Sequence, residues 1–176
     1  GYKGMCDESA KYYELSLKAG KPDERSVLML AGAYYANHQY RQALNYANQA
    51  IDLKKNPDAF LLKAKIQIAQ KNYSDALTAL ENLKKLRTQP AEYYFLTGVC
   101  NIMLKKYAAA ELAFQQAKLY DDYKSKSLAY LGELKYYQSD LRSAIEYYTD
   151  AYKIEPENQN YRKMINYLSG LTCFMQ

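Results

Sequence analysis

Apolar and small residues recur along this chain at steps of three, four and seven, the spacing that gathers side chains onto one face of an α-helix. The stripe reads Tyr40, Ala43, Ala50, then Tyr73, Ala76, Leu83, then Tyr107, Ala110, Ala117, and finally Leu141, Ala144, Ala151. Its alanines at 43, 76, 110 and 144 lie 33, 34 and 34 residues apart, so one helix is written four times. A second helical segment precedes each stripe and carries Ala31, Ala64, Gly98 or Gly132. Small residues there let two helix backbones approach closely, and a bulky one would force the hairpin apart.

The prolines keep the same step. Pro22, Pro57, Pro90 and Pro156 are separated by 35, 33 and 66, and 66 is two periods with one proline absent. The absent one belongs near Asp121-Asp122-Tyr123, a polar cluster that reads as a turn. No single hairpin can bury its apolar face alone, so each completes its core against its neighbours, and the pattern predicts an all-α stack.

The two helices of each period resemble the tetratricopeptide repeat, a helix-turn-helix unit of about 34 residues. The fourth copy matches best, through Leu131, Gly132, Ala144, Tyr148, Ala151 and Pro156. The third keeps Gly98, Tyr107, Ala110, Phe114 and Ala117, and the first keeps Leu30, Tyr34, Tyr40, Ala43, Ala50 and Pro57, with Ala31 where glycine is usual. The second departs furthest, with Lys63 at the usual leucine and Gln67 at the usual tyrosine, yet Ala64, Tyr73, Ala76 and Pro90 hold its register.

The resemblance implies a right-handed superhelical solenoid of antiparallel helix pairs, with copies at 24–57, 58–90, 91–124 and 125–158. Residues 1–23 are expected to hold the second helix of an incomplete repeat, since Ala10, Tyr13 and Leu17 keep helical spacing before Gly20 and Pro22. Residues 159–176 are expected to form a capping helix, carrying Tyr161, Met164, Ile165 and Leu168 as far as 169. An apolar tail of Leu171, Cys173, Phe174 and Met175 follows Gly170 and is costly to leave in water.

Composition agrees with a helical globular chain of 176 residues, containing only 7 glycines and 4 prolines. The net charge of +5 arises from lysine pairs such as Lys54-Lys55, Lys84-Lys85 and Lys105-Lys106, placed at helix ends or turns. Cations there meet the negative end of the helix dipole, so no nucleic-acid surface is implied. Cys6, Cys100 and Cys173 are spaced for neither a disulfide framework nor a zinc site. No apolar run is long enough to cross a bilayer. The chain begins at Gly1 rather than Met, which leaves open a trimmed start bearing a targeting segment, and either a cytoplasmic or a periplasmic setting.

Little in the chain points to catalysis. The single histidine, His38, falls in a turn and excludes a two-histidine metal site. There is no glycine-rich phosphate loop, no nucleophile elbow and no Cys-x-x-Cys pair. Cys100, among Val99, Ile102 and Met103, reads as a packing residue. Asn72-Tyr73-Ser74 matches the glycosylation triplet, a pattern that arises often by chance. The expectation is a non-enzyme without cofactor or metal.

Tetratricopeptide arrays bind peptides along a concave face lined by the first helices, and the resemblance carries that face onto residues here. The first copy supplies Leu28, Met29 and Tyr35, beside Arg25, Gly32 and Ala36. The second supplies Leu61, Leu62, Lys65 and Ile68, beside Asp58 and Ala69. The third supplies Phe95, Leu96, Val99, Ile102 and Met103, beside Glu92. The fourth supplies Tyr130, Glu133, Tyr136 and Tyr137, beside Lys126 and Ala129.

Chaperone-binding relatives clamp a C-terminal carboxylate with Lys, Asn and Arg, but Leu28 with Gly32, Leu62, and Glu92 with Leu96 stand at those positions. The implied ligand is therefore an apolar peptide or amphipathic helix of a protein partner. The alternative is a self-associating module whose groove is filled by its own C-terminal tail or by a second chain.

Overall fold

The computed structural model describes residues 23–174 except 88, together with 15 and 20. The incomplete repeat expected before residue 23 lies almost wholly outside the described residues. Among the described residues there are nine helices and no strand, arranged as helix pairs. They are α1 (Glu24–Ala36), α2 (Tyr40–Leu53), α3 (Pro57–Ala69), α4 (Tyr73–Lys85), α5 (Ala91–Met103), α6 (Tyr107–Ala117), α7 (Asp121–Tyr137), α8 (Leu141–Ile154) and α9 (Gln159–Phe174). No helix of the described residues is long and apolar enough to cross a membrane.

The chain forms two compact units, residues 1–89 and 90–176. In the first, α1 pairs with α2 and α3 with α4. Its core gathers Ala31, Ala43, Ala47 and Ile66, with Val27, Ala50 and Ala59 forming a second cluster. In the second, α5 pairs with α6 and α7 with α8, and α9 packs on α8. Here Ala110, Phe114, Leu131 and Leu134 form one cluster, and Leu128, Ala144, Tyr148, Ala151, Tyr161 and Leu168 the other. The small residues of the repeating stripe are its buried part: Ala43, Ala76, Ala110 and Ala144 are all fully buried, whereas Tyr40, Tyr73 and Leu141 are half-buried and Tyr107 is exposed.

Helix starts follow local chemistry. Asp23 accepts a hydrogen bond from the Ser26 backbone N–H at 3.0 Å and caps α1. Asn56 accepts from the Asp58 N–H at 2.9 Å, and Pro57 opens α3 at a position where its missing N–H costs nothing. Asp140 accepts from the Ser143 N–H at 3.1 Å and caps α8.

Every hairpin turns through one residue of left-handed conformation: His38 (φ 59°), Lys71 (φ 63°), Lys105 (φ 58°) or Ser139 (φ 62°). After each, a backbone N–H reaches back to satisfy a carbonyl near the helix end: Gln39 to Tyr34, Asn72 to Gln67, Lys106 to Asn101 and Asp140 to Lys135, at 2.8–2.9 Å. Glycine usually takes this position, and none of the four is glycine.

Two elements depart from the sequence reading. Asp121-Asp122-Tyr123 is the first turn of α7 and not a loop; the chain turns at Lys118–Tyr120. With no proline to stop it, and with two acids favourable at the positive end of the dipole, α7 reaches 17 residues where α1, α3 and α5 have 13 each. At the other end, α9 does not stop at 169. It runs through Gly170 to Phe174 and sets Leu171 against the cluster around Tyr148.

Candidate functional site

The first helices of the two units carry the sixteen candidate residues. In the first unit, Met29 is exposed, while Leu28, Tyr35, Leu62, Lys65 and Ile68 are half-buried. Leu28 packs against the core around Val27, and Tyr35 and Leu62 against that around Ala43. Leu61 is buried and is part of the core.

In the second unit, Met103 and Tyr137 are exposed, and Leu96, Val99, Ile102, Tyr130, Glu133 and Tyr136 are half-buried. Phe95 is half-buried too, with its ring 5.8 Å from Phe114, 5.6 Å from Tyr130 and 5.1 Å from Tyr123. Phe95, Val99, Ile102 and Tyr130 thus serve the core as much as the surface.

The fourth first helix is where the candidates converge. Lys126, Ala129, Tyr130 and Glu133 share one face of α7 and line a cavity of about 410 Å³. Its remaining lining is Tyr148 of α8 with Asn160, Tyr161 and Met164 of α9. The volume lies within the usual range for a ligand site. Nothing in the repeat resemblance marked Asn160 or Tyr148 as lining residues. The signal for Asn160 is the continued period, which makes α9 the next first helix, whereas Tyr148 stands on α8 at a core position of the register.

Glu133 organises the polar chemistry of this face. The Tyr137 hydroxyl donates to Glu133 Oε1 at 3.0 Å, and this bond raises the Tyr137 pKa above the ordinary phenol value. Burial raises Tyr130 and Tyr148, and the Glu133 charge adds to both shifts. Tyr161 is raised chiefly by burial, and its hydroxyl oxygen accepts a hydrogen bond from Ser125 at 3.3 Å. All four phenols are held protonated at neutral pH, the Tyr137 O–H being already donated to Glu133. Beside Glu133 in sequence, Lys135 is engaged elsewhere, in an ion pair with Glu111 at 2.8 Å that raises its pKa.

A second hollow, about 420 Å³, is lined by Tyr136, Tyr137, Ser139, Leu141 and Leu171. Leu171 therefore reaches the last hairpin from the end of α9 and not from a loose tail.

Neither of two other residues singled out for chemistry has a reactive setting. Cys100 is fully buried and burial pushes its thiol up to about 12, far from the thiolate a nucleophile needs. His38 is exposed in the α1–α2 turn, with Nδ1 2.9 Å from the Tyr40 hydroxyl.

Comparison with known proteins agrees with the fold. No curated protein matches the sequence. Among solved structures, MamA 41-end from Desulfovibrio magneticus RS-1 is similar at 22% identity and TM-score 0.79, over 89% of each chain. A thermophilic tetratricopeptide repeat protein of Thermus thermophilus is similar at 18% identity and TM-score 0.72, over 94% of this chain and 91% of that one. YrrB, described as a tetratricopeptide repeat protein with an unusual peptide-binding site, is similar at 13% identity and TM-score 0.75, over 93% and 84%. Residues 3–83 match the family model of anaphase-promoting complex, cyclosome, subunit 3, and residues 61–124 match that of the tetratricopeptide repeat. With the recurrent helix pairs and their buried alanines, these matches place the chain in the tetratricopeptide repeat family.

Proposed function

We propose that this protein is a non-catalytic interaction scaffold whose first-helix faces receive an apolar segment or amphipathic helix of a partner polypeptide. The observation that carries the reading is the cavity on α7, whose α7 side, Lys126, Ala129, Tyr130 and Glu133, consists of positions at which tetratricopeptide repeats hold peptides. Exposed Met103 and Tyr137 on the first helices of the second unit, and Met29 in the first, add adaptable apolar area. The resemblance to YrrB, named for its peptide-binding site, supports the same class of activity. The residues that would hold a chaperone carboxylate are replaced by Leu28 with Gly32, Leu62, and Glu92 with Leu96, which disfavours an acidic tail and favours an apolar ligand.

A photo-cross-linking side chain placed singly at Met29, Met103 and Tyr137 tests the reading against the same group at Leu112. Leu112 is 71% exposed and equally apolar, but lies on the second helix α6. The expected result is capture of a polypeptide from the first-helix positions and little from Leu112. Equal capture from Leu112 would overturn it.

A further inference from the structure

The α7–α9 cavity has a chemistry more specific than apolar. Tyr130, Tyr148 and Tyr161 line it from three different helices, and Glu133 lines it beside them. Aromatic faces are electron-rich and attract cations, and a carboxylate among them adds a full negative charge in a partly desolvated place. We propose that this cavity receives a basic side chain, Arg or Lys, of the partner polypeptide. The inference rests on the preceding reading for the source of that side chain, since the cavity lies on the same first-helix face.

Three observations support a cationic occupant. Ala129, one turn before Glu133 on the same face of α7, contributes only a methyl group to the lining. Lys126, which also lines the cavity, stands two helical turns from Glu133, about 10 Å along the axis from backbone to backbone, and among the described residues no ion pair joins the two. Lys135 is drawn to Glu111. Among the described residues no ion pair of Glu133 is seen, and its polar contact is the neutral Tyr137 hydroxyl. A guanidinium or ammonium would thus meet an uncompensated carboxylate between tyrosine rings, with its aliphatic stem against Met164. The same layout sets a polarity. An acidic residue of the partner would find Lys126 about 10 Å from the basic one, two turns along a helix or three residues along an extended strand.

The test uses butylguanidinium and its neutral isostere butylurea, titrated into the intact protein while the Met164 methyl and the tyrosine ring signals are followed by NMR. Butylguanidinium should shift Met164, Tyr130 and Tyr161 and bind at least about tenfold more tightly than butylurea. Glu133→Gln, which keeps the shape and removes the charge, should erase that preference. No shift at the cavity, or equal binding of the two probes to the unaltered protein, would overturn the proposal without recourse to a variant.

A matched pair of amphipathic helical peptides, with arginine or norleucine at one central site, separates the two readings. If both peptides bind alike and butylguanidinium does not bind, the cation pocket fails and the apolar groove stands. If butylguanidinium binds with the expected preference and neither peptide does, the pocket stands and the groove fails.

Discussion

Gly98 and Gly132 are small for a stated reason: the residue across each hairpin is an aromatic. A Cβ at 98 would come within 2.6 Å of the Phe114 ring, and one at 132 within 2.9 Å of the Tyr148 ring and 3.3 Å of the Ala144 carbonyl oxygen. In the first two hairpins the equivalent pairs are Ala31 with Ala47 and Ala64 with Leu80, so alanine stands where the facing residue is not aromatic. Phe114 cannot step aside, because it is fully buried and stacked on Tyr130 with ring centroids 4.9 Å apart. Gly98→Ala should therefore lose stability, the overpacking cost of about 1–3 kcal/mol exceeding the helix-propensity gain of about 1 kcal/mol. Joining it to Phe114→Leu, which copies the second hairpin, should cost less than the sum of the two single changes by about 1 kcal/mol in urea unfolding.

The left-handed turn residues act in the opposite sense. Lys71 holds a φ of 63° without being glycine, so Lys71→Gly should raise the unfolding free energy read from urea titration by about 0.5–1 kcal/mol after the extra chain entropy of glycine is deducted.

At the scale of the element, the second helices are legible in the sequence because each begins on its marker residue: α2 at Tyr40, α4 at Tyr73, α6 at Tyr107 and α8 at Leu141. The helix limits at 121 and 174 are not. Clustered polar residues at Asp121 suggest a turn, yet acids also suit a first helical turn, and without a proline the second effect prevails. Gly170 looks like a stop, but glycine within a helix costs only about 1 kcal/mol, and burial of Leu171 on the α9 side offsets it. The cavity on α7 is legible in part. The repeat register yields Tyr130 and Glu133, but it makes Tyr148 a core position and leaves Asn160 unmarked, because a site between consecutive repeats needs residues of both.

The cap of α8 yields a pH test. The Ser143 hydroxyl and backbone N–H hydrogen-bond the Asp140 carboxylate and hold its pKa below the ordinary 3.8. The folded value lies under the unfolded one, so the contribution is present above 3.8 and is lost as pH falls through the depressed value. Asp140→Ala should melt lower than wild type at neutral pH, and the gap should close as pH drops below 3.8. Asp140→Asn, a good cap that does not titrate, should show no such closing in the same thermal scans.

For the whole molecule, the division at residues 89 and 90 bears on how the chain opens. Each repeat of such a stack draws its stability from itself and its nearest neighbours, so a defect should weaken nearby hairpins most and distant ones least. Leu80 is 1% exposed, in α4 of the first unit, and Phe114 is fully buried in α6 of the second. Leu80→Ala should cost about 2–5 kcal/mol where it acts, enough to speed amide exchange there by at least about tenfold. Native-state hydrogen exchange should show that acceleration among the slowest amides of residues 23–87, with a smaller change in residues 90–174. Phe114→Leu should reverse the pattern. If either change accelerated both sets equally, the chain would open as one cooperative body, and a ligand bound at the α7–α9 cavity would then protect the first unit as strongly as the second. If the accelerations stay local, protection by that ligand should be confined to residues 90–174, and exchange measured with and without butylguanidinium would read it directly.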